Sequence, residues 1–329
     1  MGTTLRSHIA ILDGWRALSI ILVLSAHWLP VGSHALQLND AIGASGMALF
    51  FCLSGFLITN FLHSDSRVGV FMIKRVARIV PLAWAAMLIL IIVNRSSGAE
   101  AIANLLFISN LPPATLLPGG EHLWSLCVEM QFYLLAAVAV ALAGSRALYL
   151  IPLACFAITA LRISNDEVIS IVTWYRIDEI LAGGVIALVW INGWGKALLT
   201  RLPAWTPILF LIALPVVSLP ALGPASYLRP YIAMLAVGLS LYRFPEKARE
   251  LWTGKAAAYV AEISYAIYVI HGMLTATPLG GAGESKFVKY ALRPPLLFAT
   301  LLFAHLSTRY YERLFTRLAG RFIASRTSS

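Results

Sequence analysis

Apolar residues run along this chain in blocks of about twenty, the length a helix needs to cross a bilayer. Charged and turn-forming residues separate the blocks. The pattern predicts ten membrane-crossing helices, at 12–30, 43–62, 78–94, 123–143, 147–163, 176–192, 204–220, 229–243, 258–276 and 291–311. Segment 101–118 contains Pro112, Pro113 and Pro118 and reads as a re-entrant or interfacial loop. The fold expected is an all-α polytopic membrane bundle forming one domain, 1–329. No internal repeat, low-complexity tract or appended soluble domain is expected. The first block keeps Asp13 and Arg16 and shows no A-x-A-type cleavage site, so it reads as a span and not as a signal peptide.

Composition agrees with this pattern. The chain is 59% hydrophobic and only 12% charged, with a mean hydropathy of +0.80; a soluble domain carries about twice that charge. The net charge of +10 needs no nucleic-acid partner, because cytoplasmic loops of membrane proteins accumulate Lys and Arg. With the N-terminus inside, seven of the 25 Lys and Arg face outwards: Arg95, Arg162, Arg176, Arg229, Lys286, Lys289 and Arg293. The other eighteen, from Arg6 to the tail Arg309–Arg326, face inwards, which predicts both termini in the cytoplasm and an even number of spans. The basic spacing of the tail suits a short helix lying on anionic headgroups. Cys52, Cys127 and Cys155 sit in apolar runs without metal-ligand spacing, so neither a metal site nor a disulfide is expected.

Polar residues inside apolar blocks carry the functional signal, because lipid tolerates them only with a partner or a task. In LDGWRALSIILVLSAHW, Arg16 and His27 stand roughly 16 Å apart along one helix. Arg16 either pairs with Asp13 at i−3 or stabilises negative charge on a donor or in a transition state. His27 is either a packing residue or a general base or nucleophile. In HLWSLCVEMQFYLL, Trp124 marks an outer interface and Glu129 lies one and a half turns below it. That depth matches His27, and a carboxylate against an imidazole would fix its tautomer. The bland reading of Glu129 is an ion pair that holds helices together.

In FMIKRVARIVPLAW, Arg75 and Arg78 share one helix face and Lys74 adds a third cation. They serve as a positive-inside anchor or as a fork for phosphate oxygens. Pro81 places this basic turn at a helix start. Ser54 and Gly55 make a small notch suited to close helix packing, with Ser54 also able to line a channel. Arg176, Asp178 and Glu179 form either a solvated interfacial cluster or part of an acceptor site. Tyr268 and His271 lie one turn apart, with His271 a second candidate for the reaction centre or a support for packing or acceptor binding.

Five blocks in order, LDGWRALSIILVLSAHW, FFCLSGFLI, FMIKRVARIVPLAW, HLWSLCVEMQFYLL and ISYAIYVIH, resemble acyltransferase family 3, the bacterial membrane O-acyltransferases. Arg16 and His27 match the family's arginine–ten residues–histidine pattern, Arg75 and Arg78 its paired arginines, and Glu129 its acidic W-S-L-x-x-E position. Trp15 and Ala17 depart from the common wording. Cys127–Met130 reads CVEM where a second acidic residue often follows the first, which leaves Glu129 as the one carboxylate of the block. The resemblance implies about ten spans in the bacterial inner membrane. It also implies a cytoplasmic acetyl-CoA or other acyl-CoA as donor, and a hydroxyl of an extracytoplasmic glycan or glycolipid as acceptor. On that reading His27 and Glu129 are catalytic, Arg16, Lys74, Arg75 and Arg78 hold the donor, and Ser54, Arg176, Asp178, Tyr268 and His271 are candidates to bind substrate. The competing classes are a transporter or flippase of an acyl or glycan intermediate and a non-enzymatic scaffold or sensor.

Overall fold

The computed structural model describes residues 8–32, 34–281 and 283–327; Arg6, one of the expected inward cations, lies outside them. The described residues are helical with no strand. In chain order the α-helices are α1 Ile11–Trp28, α2 Leu38–Ser64, α3 Val68–Asn94, α4 Gly98–Leu105, α5 Trp124–Ala143, α6 Ile151–Ser164, α7 Thr173–Arg176 and α8 Asp178–Asn192. They continue with α9 Lys196–Leu199, α10 Thr206–Val217, α11 Arg229–Ser240, α12 Glu246–Trp252, α13 Lys255–Thr275, α14 Lys286–Ala291, α15 Arg293–Leu306 and α16 Arg313–Thr327.

Every predicted span has a helix within it, but membrane-crossing length is more restricted. Five helical stretches are long and apolar enough to cross: Leu38–Ser64, Val68–Asn94, Glu121–Ser164, Lys255–Thr275 and Lys286–Arg326. The 44-residue stretch Glu121–Ser164 would be about 66 Å long if straight, twice a hydrocarbon core of about 30 Å. Gly144 interrupts it with φ 64° at the end of α5. Segment 101–118 is not a span: α4 has 8 residues and irregular turns follow it.

The central column is α2, packed between α1 and α8 and touched by α10 and α11. Its closeness to α8 depends on two glycines. A Cβ on Gly55 would fall 1.8 Å from the Ile180 carbonyl oxygen, and one on Gly183 would fall 1.9 Å from that of Cys52. The notch at Gly55 is therefore a helix-packing device. The three cysteines are buried and free.

α1 is tied at both ends. Trp15 donates Nε1–H to Ser240 Oγ of α11 at 2.8 Å, and Trp28 donates Nε1–H to Thr275 Oγ1 of α13 at 2.8 Å. α3 begins at Val68, so Arg75 and Arg78 lie two turns and more inside it, and Pro81 is an interior proline and not a helix start. Nearby carbonyls find side-chain donors: Tyr265 bonds the Ile79 oxygen at 2.5 Å and Tyr311 the Pro81 oxygen at 3.2 Å. The basic tail does form a helix, α16, packed along α3.

Candidate active site

The helical period places Arg16, Ser19, Ile20, Val23 and His27 along one face of α1. That face lines three consecutive spaces. Arg16 enters a small chamber of about 50 Å³. Ser19, Ile20 and Val23 line a constriction of about 10 Å³. Val23 and His27 open on a large chamber of about 970 Å³. Val23, Met47 and Tyr268 are shared between the large chamber and the constriction, and Phe50 and Ser264 between the constriction and the small chamber. The Phe50 and Tyr268 rings stack 5.9 Å apart and nearly parallel, so an aromatic pair closes the line between the two chambers.

The small chamber gathers Arg16, Arg75, Arg78, Ser54 and Glu129 from α1, α3, α2 and α5. Glu129 is buried and accepts hydrogen bonds at one carboxylate oxygen from the Ser54 and Tyr133 hydroxyls. The Arg75 guanidinium lies 5.7 Å from the Tyr133 ring centre. Three guanidinium groups around one carboxylate leave a cationic excess suited to phosphate oxygens. Lys74 is not brought here: it is exposed, with its ammonium 5.4 Å from the Phe61 ring centre. Of the two readings of Arg16, the ion pair with Asp13 does not form; Asp13 meets His8 Nε2 at 2.9 Å.

The large chamber holds three histidines. His27 Nδ1 and His271 Nε2 lie 3.0 Å apart, with the ring centres 5.1 Å apart and the planes within 14° of parallel, so the two rings meet edge to edge; the His122 ring centre is 4.6 Å from that of His271. Tyr268 fixes the wall, sharing a hydrogen bond with Ser125 Oγ at 2.6 Å and donating to the His122 carbonyl. His27 and Glu129 are therefore not partners. They belong to different chambers on either side of the constriction, against the depth match expected from Trp124. The reason is the placement of Trp124. Its ring packs against Phe51 at 5.7 Å and lies under the Arg176 guanidinium at 5.3 Å, so it faces the protein interior and does not mark a lipid interface. His122 escaped the sequence reading because it stands just ahead of the apolar block, where an interfacial histidine is ordinary.

The acidic cluster at the start of α8 also differs from a solvated one. Asp178 and Glu179 are fully buried. Arg162 donates Nη1–H to Asp178 Oδ2 at 2.6 Å, and Arg229 donates Nε–H to Glu179 Oε1 at 2.6 Å. Asp178 is thus removed from the large chamber. Arg162 and Arg229, counted among the outward-facing cations, are interior counter-ions of these carboxylates. Arg176 remains as the odd cation: it lines the chamber, and its nearest carboxylate oxygen, on Glu179, is 3.4 Å away. Gln131, a further polar residue of α5, holds the loop after α4 by donating to the Phe107 carbonyl at 2.8 Å and to Asn110 Oδ1 at 2.9 Å. No group of three His, Cys, Asp or Glu among the described residues is placed to hold a metal ion.

The acyltransferase-domain model of acyltransferase family 3 matches residues 9–306. The chain belongs to this family. Among curated proteins it is 28% identical over 155 residues to the peptidoglycan O-acetyltransferase OatA of Listeria monocytogenes, covering 40% of this chain and 24% of that one. It is also 28% identical over 153 residues to the putative peptidoglycan O-acetyltransferase YrhL of Bacillus subtilis, covering 38% of this chain and 22% of that one. The matched stretch thus spans about a quarter of the length of these relatives. No solved structure matches the chain. Family membership and the long apolar helices together make this acyltransferase an integral membrane protein.

Proposed function

We propose that this protein moves an acyl group, in the simplest case acetyl, from a cytoplasmic acyl-CoA to a hydroxyl of an extracytoplasmic glycan or glycolipid. The observation that carries this reading is the alignment of an arginine chamber and a histidine chamber along one face of α1, joined by a constriction. Arg16, Arg75 and Arg78 would hold the donor phosphates. The pantetheine arm would enter past Phe50 and Tyr268 and carry the thioester towards His27. Glu129 would order the arginines and would not assist His27. Arg176 would bind the acceptor in the large chamber. His27 would either deprotonate the acceptor hydroxyl or take the acyl group itself. The bacterial inner membrane, ten spans and cytoplasmic termini complete the proposal. The peptidoglycan acetylation named for the two relatives makes an amino-sugar polymer the first acceptor to try.

A flippase would also need a path across the membrane. A constriction of about 10 Å³ has room for about one water, so any group that passes must displace the Phe50–Tyr268 pair, and a slender thioester arm needs a smaller displacement than a sugar ring. The deciding experiment uses the purified protein in proteoliposomes with radiolabelled acetyl-CoA on one side and chitotetraose on the other. Covalent label on the sugar, lost in His27→Ala, is expected. Sugar movement without label, or full labelling by His27→Ala, overturns the proposal.

A further inference from the structure

His271 is buried and holds two ring contacts whose directions can be worked out. Its Nδ1 lies 2.6 Å from the backbone carbonyl oxygen of Tyr268. A carbonyl only accepts, so Nδ1 carries the hydrogen. The groups facing the His271 ring are His27 and Trp28 of α1, His122 ahead of α5, and Tyr268 of its own helix. None is a carboxylate, and a buried imidazolium without an anion is costly by several kcal/mol. His271 is therefore neutral, and its Nε2 is an acceptor.

That Nε2 is the atom 3.0 Å from His27 Nδ1. The hydrogen between them must belong to His27. A neutral His27 then has a bare Nε2, and His27 is the most exposed of the three histidines lining the large chamber. The arrangement is rigid. Tyr268 lies within α13 and its ring is held by Ser125 and by the His122 carbonyl. His122 donates Nε2–H to the Val269 carbonyl at 3.2 Å and packs against His271 where Gly272 leaves room; a Cβ there would fall 2.2 Å from the His122 ring.

We propose that His271 is a positioning residue that fixes the tautomer of His27, leaving His27 Nε2 bare and turned to the acceptor chamber. It fills the place that a carboxylate fills behind the histidine of a Ser–His–Asp triad. The inference rests on the proposed acyl transfer for its consequence, not for its geometry. In direct transfer the acceptor O–H breaks as its proton passes to His27 Nε2. The hydroxyl oxygen forms a bond to the thioester carbon, the C–S bond breaks, and the departing thiolate takes the proton from Nε2. The products are an O-acyl ester and free CoA thiol, with His27 neutral again.

Imidazole ¹⁵N–¹H correlation spectra of histidine-labelled protein in nanodiscs test this, with His27→Gln and His271→Gln supplying the assignments. The wild type is expected to show His27 protonated at Nδ1 only. A hydrogen on Nε2 overturns the proposal, whatever the protein acylates. In turnover with acetyl-CoA and chitotetraose, His271→Leu is expected to lower kcat about 100-fold with both KM values within about twofold. His271→Gln, whose side-chain oxygen can accept the same hydrogen, is expected to recover at least about tenfold of that loss. Equal losses in the two variants overturn the positioning role. A wild type with the expected tautomer but no transfer would instead count against the proposed function.

Discussion

Arg229 Nε donates to Glu179 Oε1 at 2.6 Å, and neither side chain reaches solvent. Breaking such a pair strands a buried charge at a cost of about 3–5 kcal/mol. Arg229→Met is therefore expected to lower thermal stability in detergent by that amount or to prevent accumulation in the membrane. Arg176→Met removes the chamber-lining cation 3.4 Å from Glu179 while leaving Glu179 its closer partner Arg229. It should leave the melting midpoint nearly unchanged and raise the acceptor KM about tenfold, equivalent to one charge-assisted hydrogen bond. Steady-state kinetics beside a fluorescence melt separate the two outcomes.

Arg75→Ala and Arg78→Ala should each weaken acyl-CoA binding by about 10- to 100-fold, because each removes a charged donor worth about 1.5–3 kcal/mol. Lys74→Ala, on the exposed side of the same turn, should change affinity by less than about twofold. Isothermal titration with acetyl-CoA reads both. An equal loss at Lys74 would mean the donor binds outside the chamber of Arg16.

Phe50→Trp should enlarge the ring that stacks on Tyr268 and obstruct the constriction. Donor affinity is expected to stay within about threefold while transfer to chitotetraose falls by more than about tenfold. Overfilled packed sites typically cost about 1–3 kcal/mol, so a melt on the same sample confirms that the loss is not unfolding. Unchanged transfer would move the path of the acyl group elsewhere.

Gly55→Val should be among the most damaging substitutions in the apolar region. Its Cβ would sit 1.8 Å from a backbone oxygen of α8, and a helix backbone cannot step aside as a side chain can. Folded yield by gel filtration is expected to collapse, whereas Gly69→Val, with nothing within 4 Å of its Cβ position, should be tolerated.

The sequence revealed helices better than their depths. Apolar runs located every main helix, and the polar residues within them located both chambers: Arg16, Arg75, Arg78 and Glu129 in one, His27, Tyr268 and His271 in the other. Partnership between helices was not legible. Trp124 misled because a tryptophan reports a membrane interface only when its ring faces lipid, and this one faces Phe51 and Arg176. Asp178 and Glu179 read as solvated because each is polar on its own; only the packing of α6, α8 and α11 shows that Arg162 and Arg229 neutralise them. Ser54 lines the small chamber, where its hydroxyl donates to Glu129, and not the large chamber. His271 was visible as a candidate, while its contact with His27 joins the first and the thirteenth helices and leaves no mark in local spacing.

The narrow space under Phe50 and Tyr268 has a bioenergetic consequence. A protein with chambers opening in line across a bilayer risks becoming a leak for protons and ions. Here the link between the chambers has room for about one water, too little for the continuous hydrogen-bonded chain along which protons hop. On the proposed transfer across the membrane, the aromatic pair would serve between turnovers as electrical insulation. The cell would then hold a membrane potential across a protein whose proposed work is to pass a chemical group through that same membrane.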